Sequence, residues 1–225
     1  MTGGWQKFSI WEHSAHVTEL YRGRALKTEA ELTCHVQAAS LLAGLAAGGD
    51  RVLDVGCGTG YFFHSVASRL PALQYHGIDG ARHLIDIGRE CLGKFGLPAD
   101  RLQHVRLEDL DFEMEHVVCT NVISNIDNFH RPRERLLLGA KKSVIFRESF
   151  ADSASYAYVH DRFLDPEVKL RVHVNTYARR DVEKLLSELG FSARWVKDEY
   201  TQGKPQDVIG YPHHWEFLVA ERKGG

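Results

Sequence analysis

The chain is poor in the features that announce the simplest functions. Its four cysteines, Cys34, Cys57, Cys91 and Cys119, stand far apart with no C-x-x-C pair. That excludes a cysteine zinc site and a disulfide framework, and it suits a reducing cytoplasm. Neither sign of charge is in excess, since 28 Lys and Arg against 30 Asp and Glu leave a formal −2. This gives no electrostatic argument for a nucleic-acid or anionic-membrane partner. No apolar run approaches the roughly 20 residues that span a bilayer. Met1-Thr2-Gly3-Gly4-Trp5 lacks the basic and apolar regions of a signal peptide. There is no internal repeat and no low-complexity segment. Histidines number 13, but His213-His214 is the sole adjacent pair and no metal-ligand spacing occurs, so no metal is expected. What remains is the expectation of one cytoplasmic globular domain over 1–225, with homo-oligomerisation left open.

The informative stretch is Val52 to Gly60. Val52 to Val55 reads as a buried strand, Gly56, Gly58 and Gly60 alternate after it, and an apolar-periodic run starts at Tyr61. The order is strand, tight turn and helix start. Three alternating glycines lose chain entropy on folding without packing gain, unless a ligand must lie against the backbone. The amides of the following helix start would favour a negative group there. A dinucleotide fingerprint, G-x-G-x-x-G, would carry its third glycine one residue later, where Tyr61 stands.

With Asp54 inside the strand, residues 52–60 resemble the first motif, D-x-G-x-G-x-G, of the class I S-adenosylmethionine-dependent methyltransferases of small-molecule type. The resemblance covers residues 30–222. It implies S-adenosyl-L-methionine as cofactor and a Rossmann-like α/β fold: a doubly wound, mostly parallel seven-stranded sheet whose last strand is antiparallel. It also implies a helical N-terminal extension over 1–48 and a substrate-cap insertion over 150–177. Asp54, Gly56, Cys57, Gly58 and Gly60 then form the cofactor turn. Asp79, beside Gly80 at the tip of the second strand and 19 positions past Gly60, matches two ribose hydroxyls with two carboxylate oxygens. After the third strand, read over 102–107, Asp109 takes the adenine amino group and Leu110 covers the ring, with Glu108 as a rival. Asn121, leaving the fourth strand, is counted with the cofactor.

The order of elements agrees with parallel crossovers. A helix spans 29–47, another follows the turn to Leu70, a second strand runs 73–79, and the fourth is the apolar run 117–122. A helix over 131–140, a strand over 143–146, a helix over 181–189 and strands over 191–197 and 214–222 complete it, with 201–207 a polar loop. Within the insertion, Tyr156, Val159 and Phe163 recur at helical steps among Asp152, Asp161 and Asp165. Arg171, His173, Asn175 and Tyr177 alternate like one face of a strand.

Acceptor residues should lie at the carboxyl ends of the strands. Many small-molecule members carry Glu-His after the fourth strand, whereas Ser124-Asn125 stands here, and neither side chain is a useful base. The candidates for proton transfer are Glu148, His173, Asp127 and His160. Those for substrate contact are Tyr21, Asn125, Arg147, Tyr156, Asn175 and Tyr177. Trp5, Trp11 and Tyr21 could cover a sulfonium with aromatic faces, a core role being the other reading. The function read from this is in-line methyl transfer to oxygen or nitrogen of a natural-product intermediate, sugar or amino-acid derivative. A cationic amine or guanidine acceptor, and a catalytically silent S-adenosylmethionine-binding regulator, are the alternatives. A nicotinamide oxidoreductase is disfavoured by Tyr61.

Overall fold

The structure is a computed structural model that describes residues 10–127, 129–162 and 169–224. After a 3-10 turn at Ile10–Glu12 come α1 (Ala15–Ala25) and α2 (Thr33–Ala43), then β1 (Arg51–Val55), α3 (Phe63–Arg69), β2 (Gln74–Asp79) and α4 (Arg82–Leu92). They are followed by β3 (Leu102–His104), β4 (Met114–Thr120), α5 (His130–Gly139), β5 (Ala140–Ala151), β6 (Ser155–His160) and β7 (Arg171–Ala178). The remaining elements are α6 (Arg179–Glu188), β8 (Phe191–Lys197), β9 (Gln206–Val208), β10 (Tyr211–His213) and β11 (Trp215–Arg222).

The main sheet runs β3-β2-β1-β4-β5-β11-β8. β1 pairs in parallel with both β2 and β4, and β4 with β5, whereas β11 lies antiparallel between β5 and β8. This is the expected seven-stranded doubly wound sheet with one reversed strand. Alternation along each strand sends successive side chains to opposite layers. Val52, Val118, Ile145 and Phe217 pack on the face with Ala38, Leu42, Ile85 and Leu92. Leu53, Val117, Val144 and Leu218 pack with Leu136, Leu137, Val182 and Leu186 on the other. The strand order reverses between β1 and β4, and such a switch point opens a crevice beyond the strands' carboxyl ends. The register sets Val55 beside Ile78 and Cys119, and Thr120 beside Arg147, so the residues that follow share one rim.

The insertion differs from its sequence reading. In place of a helix through Tyr156 and Val159, β6 and β7 form an antiparallel hairpin pairing Tyr158 with His173 and Val159 with Val172. Aromatic and β-branched residues opposite one another favour the ladder over the helix that their spacing also permits. Phe163 and Asp165 lie outside the described residues, as do Trp5 and Phe8. β7 also joins β5 in parallel through Phe150 and Tyr177, bringing the sheet to nine strands. The third strand stops at His104, ahead of a 3-10 turn at Leu107–Asp109, and the expected loop over 201–207 leads into the small β9–β10 hairpin. No helix among the described residues is long and apolar enough to cross a membrane.

Candidate functional site

A cavity of about 700 Å³ lies along the carboxyl rim of the sheet, within the size range of small-molecule sites. At its centre is the glycine turn. Gly56, Gly58 and Gly60 all have positive φ, at +69°, +57° and +76°. A Cβ on Gly58 would collide with the Tyr21 ring, and one on Gly56 with Val122, so side chains are excluded by space as well as by dihedral. Gly60 instead packs beneath the turn on Leu102, where a Cβ would come within 2.7 Å, and it does not line the cavity.

Asp79 ties the turn to the second strand. Its Oδ2 accepts from Gly58 N and its Oδ1 from Ala81 N, each at 2.7 Å, and it lines the cavity together with Gly80. Burial pushes its carboxyl up to about 6, against the pull of those two amides. Asp54 also reaches the cavity. Its Oδ2 accepts the Tyr75 hydroxyl at 2.6 Å, and burial pushes it up to about 7 while the Tyr75 bond opposes. Cys57, buried with its thiol raised by desolvation, completes this wall.

Helix α1 supplies the facing wall. Tyr21 lies edge-on to Tyr61 at 5.5 Å, and burial raises its phenol to about 12. Arg24, one helical step on from Tyr21, sits 5.4 Å from that ring and 5.3 Å from the Tyr61 ring, and it donates to the Tyr61 hydroxyl at 3.2 Å. Behind it His35 stacks on Tyr61 at 4.7 Å, and burial drives its imidazole down to about 3, leaving it neutral. The sequence reading missed Arg24, although its spacing from Tyr21 puts both on one helical face.

At the other end, the turn after β4 is held from below. Glu148 accepts Val122 N (2.9 Å) and Ile123 N (3.0 Å) on one oxygen, and Ser124 N (2.9 Å) and Ser124 Oγ (2.6 Å) on the other. Burial raises its carboxyl while these four donors pull the other way. Asn121 enters this turn at φ +60°, a conformation that asparagine tolerates, and its Oδ1 accepts from Arg147 Nη1. Arg147 in turn donates through Nε to Asp198 Oδ1 at 2.6 Å, both residues being buried. Asn125 Nδ2 donates to Asn121 O at 2.9 Å.

These contacts redistribute the expected roles. Asn121, Asn125, Asp127, His173 and Tyr21 line the cavity. Glu148 does not; its oxygens are occupied in shaping the turn, so it is not a proton acceptor for substrate. Arg147 is likewise taken up by Asp198 and Asn121 rather than offered to a carboxylate. Asn175 Nδ2 donates to Ile126 O (2.7 Å) and the Tyr177 hydroxyl to Ile123 O (2.5 Å), so both brace the same turn from β7. Tyr156 is exposed and stacks on Phe129 at 5.3 Å, and His160 is exposed, neither lining the cavity. Glu108, not Asp109, reaches it. The 3-10 turn there leaves Asp109 exposed and sends Leu110 into the core beside Leu136. Arg171, Tyr158 and Asp161 of the insertion also line it, as do Trp215 and Val208, Ile209 and His213 of the β9–β10 hairpin. Nothing in the polar run 201–207 signalled that hairpin.

Residues 53–144 match the family described as a methyltransferase domain. No curated protein sequence matches the chain. Among solved structures, the CcbJ methyltransferase from Streptomyces caelestis is similar with a TM-score of 0.64 at 13% identity, over 96% of this chain and 98% of that one. The sugar N-methyltransferase KedS8 from a Streptoalloteichus species has a TM-score of 0.62 at 15% identity, over 93% of each chain. S-adenosylmethionine-bound CalS10, an amino pentose methyltransferase from Micromonospora echinaspora, has a TM-score of 0.61 at 15% identity, over 91% of this chain and 95% of that one. The segment around the glycine turn thus resembles a methyltransferase domain, and the whole chain has the fold of S-adenosylmethionine-dependent methyltransferases.

Proposed function

We propose that this methyltransferase moves the methyl group of S-adenosylmethionine to an oxygen or nitrogen of a small molecule. One observation carries the reading: Asp79 accepts the amide of Gly58 in the glycine turn and that of Ala81 after β2, and still borders the cavity. A carboxylate has about four lone-pair sites, so two are left for a pair of hydroxyls. Arg24 offers a guanidinium to a carboxylate, Glu108 an acceptor to an exocyclic amine, and the Tyr21 and Tyr61 rings a dry wall. When bound, S-adenosylmethionine supplies a methyl carbon made electrophilic by its sulfonium. The chain's own contribution is to align the acceptor and exclude water. Asp127 and His173 border the acceptor end and are proposed to take the proton of a hydroxyl. A neutral amine needs no such help during attack.

An amine-bearing acceptor is the preferred class. Asp127, Asp161, Tyr158 and Trp215 all line the cavity, and carboxylates and aromatic rings are side chains that receive a cation, although Arg171 already lies over Tyr158 and Arg147 over Trp215. The sugar N-methyltransferase and the amino pentose methyltransferase of the same fold support that preference. The test is calorimetric titration with S-adenosylhomocysteine, then release of that product from S-adenosylmethionine over a panel of amino sugars, aromatic amines and neutral glycosides. Binding with turnover confined to neutral glycosides would remove the amine preference. Absence of binding would remove the function.

A further inference from the structure

The β9–β10 hairpin stands apart from the main sheet as a two-stranded unit. Its loop is the two residues Ile209 and Gly210, since Val208 pairs with Tyr211. Both loop residues have positive φ, +56° and +84°, the pattern of a type I′ turn, in which Asn-Gly is the preferred sequence. A β-branched residue is an outlier there. Such strain, of order 1–3 kcal/mol, persists where surrounding contacts over-determine it and gathers at ligand clamps.

Two contacts of Ile209 account for its presence. It packs with Tyr211 against Val172 and Val174 of the insertion, joining two otherwise separate hairpins over the rim. It also lines the cavity beside Val208, at the end away from Asp79 where Val172, His173 and Trp215 stand. At the foot of the same hairpin His213 lines the cavity too. It is 1% exposed, its ring is 4.6 Å from that of Trp215, and its Nδ1 has no hydrogen-bond partner among the described residues. A buried ring nitrogen without a partner calls for a ligand group or water to meet it.

We propose that the β9–β10 hairpin selects the methyl acceptor, with Ile209 as its apolar contact and His213 as its polar one. The acceptor class this implies has a hydrocarbon or ring face beside Ile209 and a hydrogen-bonding group at His213. The inference rests on the function proposed above. It adds that Ile209 serves the acceptor as well as the packing on Val172 and Val174, at the expense of the turn.

The test compares the parent with Ile209→Asn and His213→Phe by three readings: Tm, affinity for S-adenosylhomocysteine, and kcat/KM over D-glucosamine, tyramine and methyl α-D-glucopyranoside. Ile209→Asn gives the turn its preferred Asn-Gly sequence but removes the packing on Val172 and Val174, so the two effects oppose and Tm should shift by no more than about 4 °C. The variant should leave S-adenosylhomocysteine affinity unchanged and lower kcat/KM with the best acceptor roughly tenfold. His213→Phe should likewise spare S-adenosylhomocysteine affinity while raising KM more than it lowers kcat. Unchanged kcat/KM in both variants overturns the inference, and so does a loss of S-adenosylhomocysteine affinity equal to the loss in kcat/KM. A parent chain that neither binds S-adenosylhomocysteine nor methylates any of the three overturns the function, and the inference with it.

Discussion

Glu148, at the rim end of β5, accepts hydrogen bonds from both the amide (2.9 Å) and the hydroxyl (2.6 Å) of Ser124. With Val122 N and Ile123 N on its second oxygen, one buried side chain satisfies four donors of the turn that borders the cavity. Glu148→Ala strands these donors at about 1–3 kcal/mol each. Calorimetry should show a Tm lowered by roughly 6 °C or more, with Ser124→Ala losing only a fraction of that. An unchanged Tm in Glu148→Ala would mean that something else holds the turn.

Asp79→Ala should weaken S-adenosylhomocysteine binding by a factor of roughly 30 or more. It removes the acceptor for Gly58 N and Ala81 N along with the lone pairs left for a ligand, and a charge-assisted bond contributes about 1.5–3 kcal/mol. Asp79→Asn should do nearly as badly, because one of its two groups is a donor facing donors. Titration calorimetry reads both, and parent-like affinity in either variant would dissociate Asp79 from the nucleoside.

Arg24 lets the two ends of the cofactor be read separately. Arg24→Gln should weaken S-adenosylhomocysteine roughly tenfold. It should leave 5′-methylthioadenosine, which lacks the amino-acid carboxylate, bound as before. Equal losses for the two ligands would show that Arg24 supports the Tyr21–Tyr61 wall and not a ligand carboxylate.

The buried Asp54 predicts a pH signature for the ligand-free protein. Its carboxyl is raised to about 7, above the roughly 3.9 of an unfolded aspartate. Its contribution to stability is therefore full below about pH 4 and is lost as pH rises through about 7. Asp54→Asn keeps an acceptor for Tyr75 and carries no such dependence. The buried His35 and His213, lowered to about 3 and about 4, act in the opposite direction in both proteins. The reading is thus a difference: Tm of Asp54→Asn minus Tm of the parent should grow from pH 4 to pH 7, about the span just given. A flat difference would show that Asp54 titrates normally.

The central sheet and its glycine turn were legible because local chemistry determines them: β-branched runs, alternating glycines, and Asp79 at a strand tip. The cavity beyond β4 and β5 was not, because the side chains there are committed by long-range contacts. Glu148, Arg147, Asn175 and Tyr177 sit in strands at the right end of the sheet, but each is bonded to the turn over 121–126 or to Asp198. No pattern within one strand reveals that. Tyr156 and Val159 fit helical and extended spacing alike, and only the partner strand β7 decides between them. Asp109 and Glu108 were separated by a single 3-10 turn, finer than a strand boundary can be placed by periodicity.

Among the described residues β11 follows every other strand in the chain, yet it lies inside the sheet, between β5 and β8. Until it is synthesised, β5 presents an unpaired backbone edge along Ser143 to Ser149, the stretch that carries Arg147 and Glu148. An open edge of that length invites pairing with foreign strands, and closing it requires contact between distant parts of the chain, which is slow. Translation therefore delivers β1 to β4 early and leaves the β5 side of the crevice unseamed until residues 215–222 have been made.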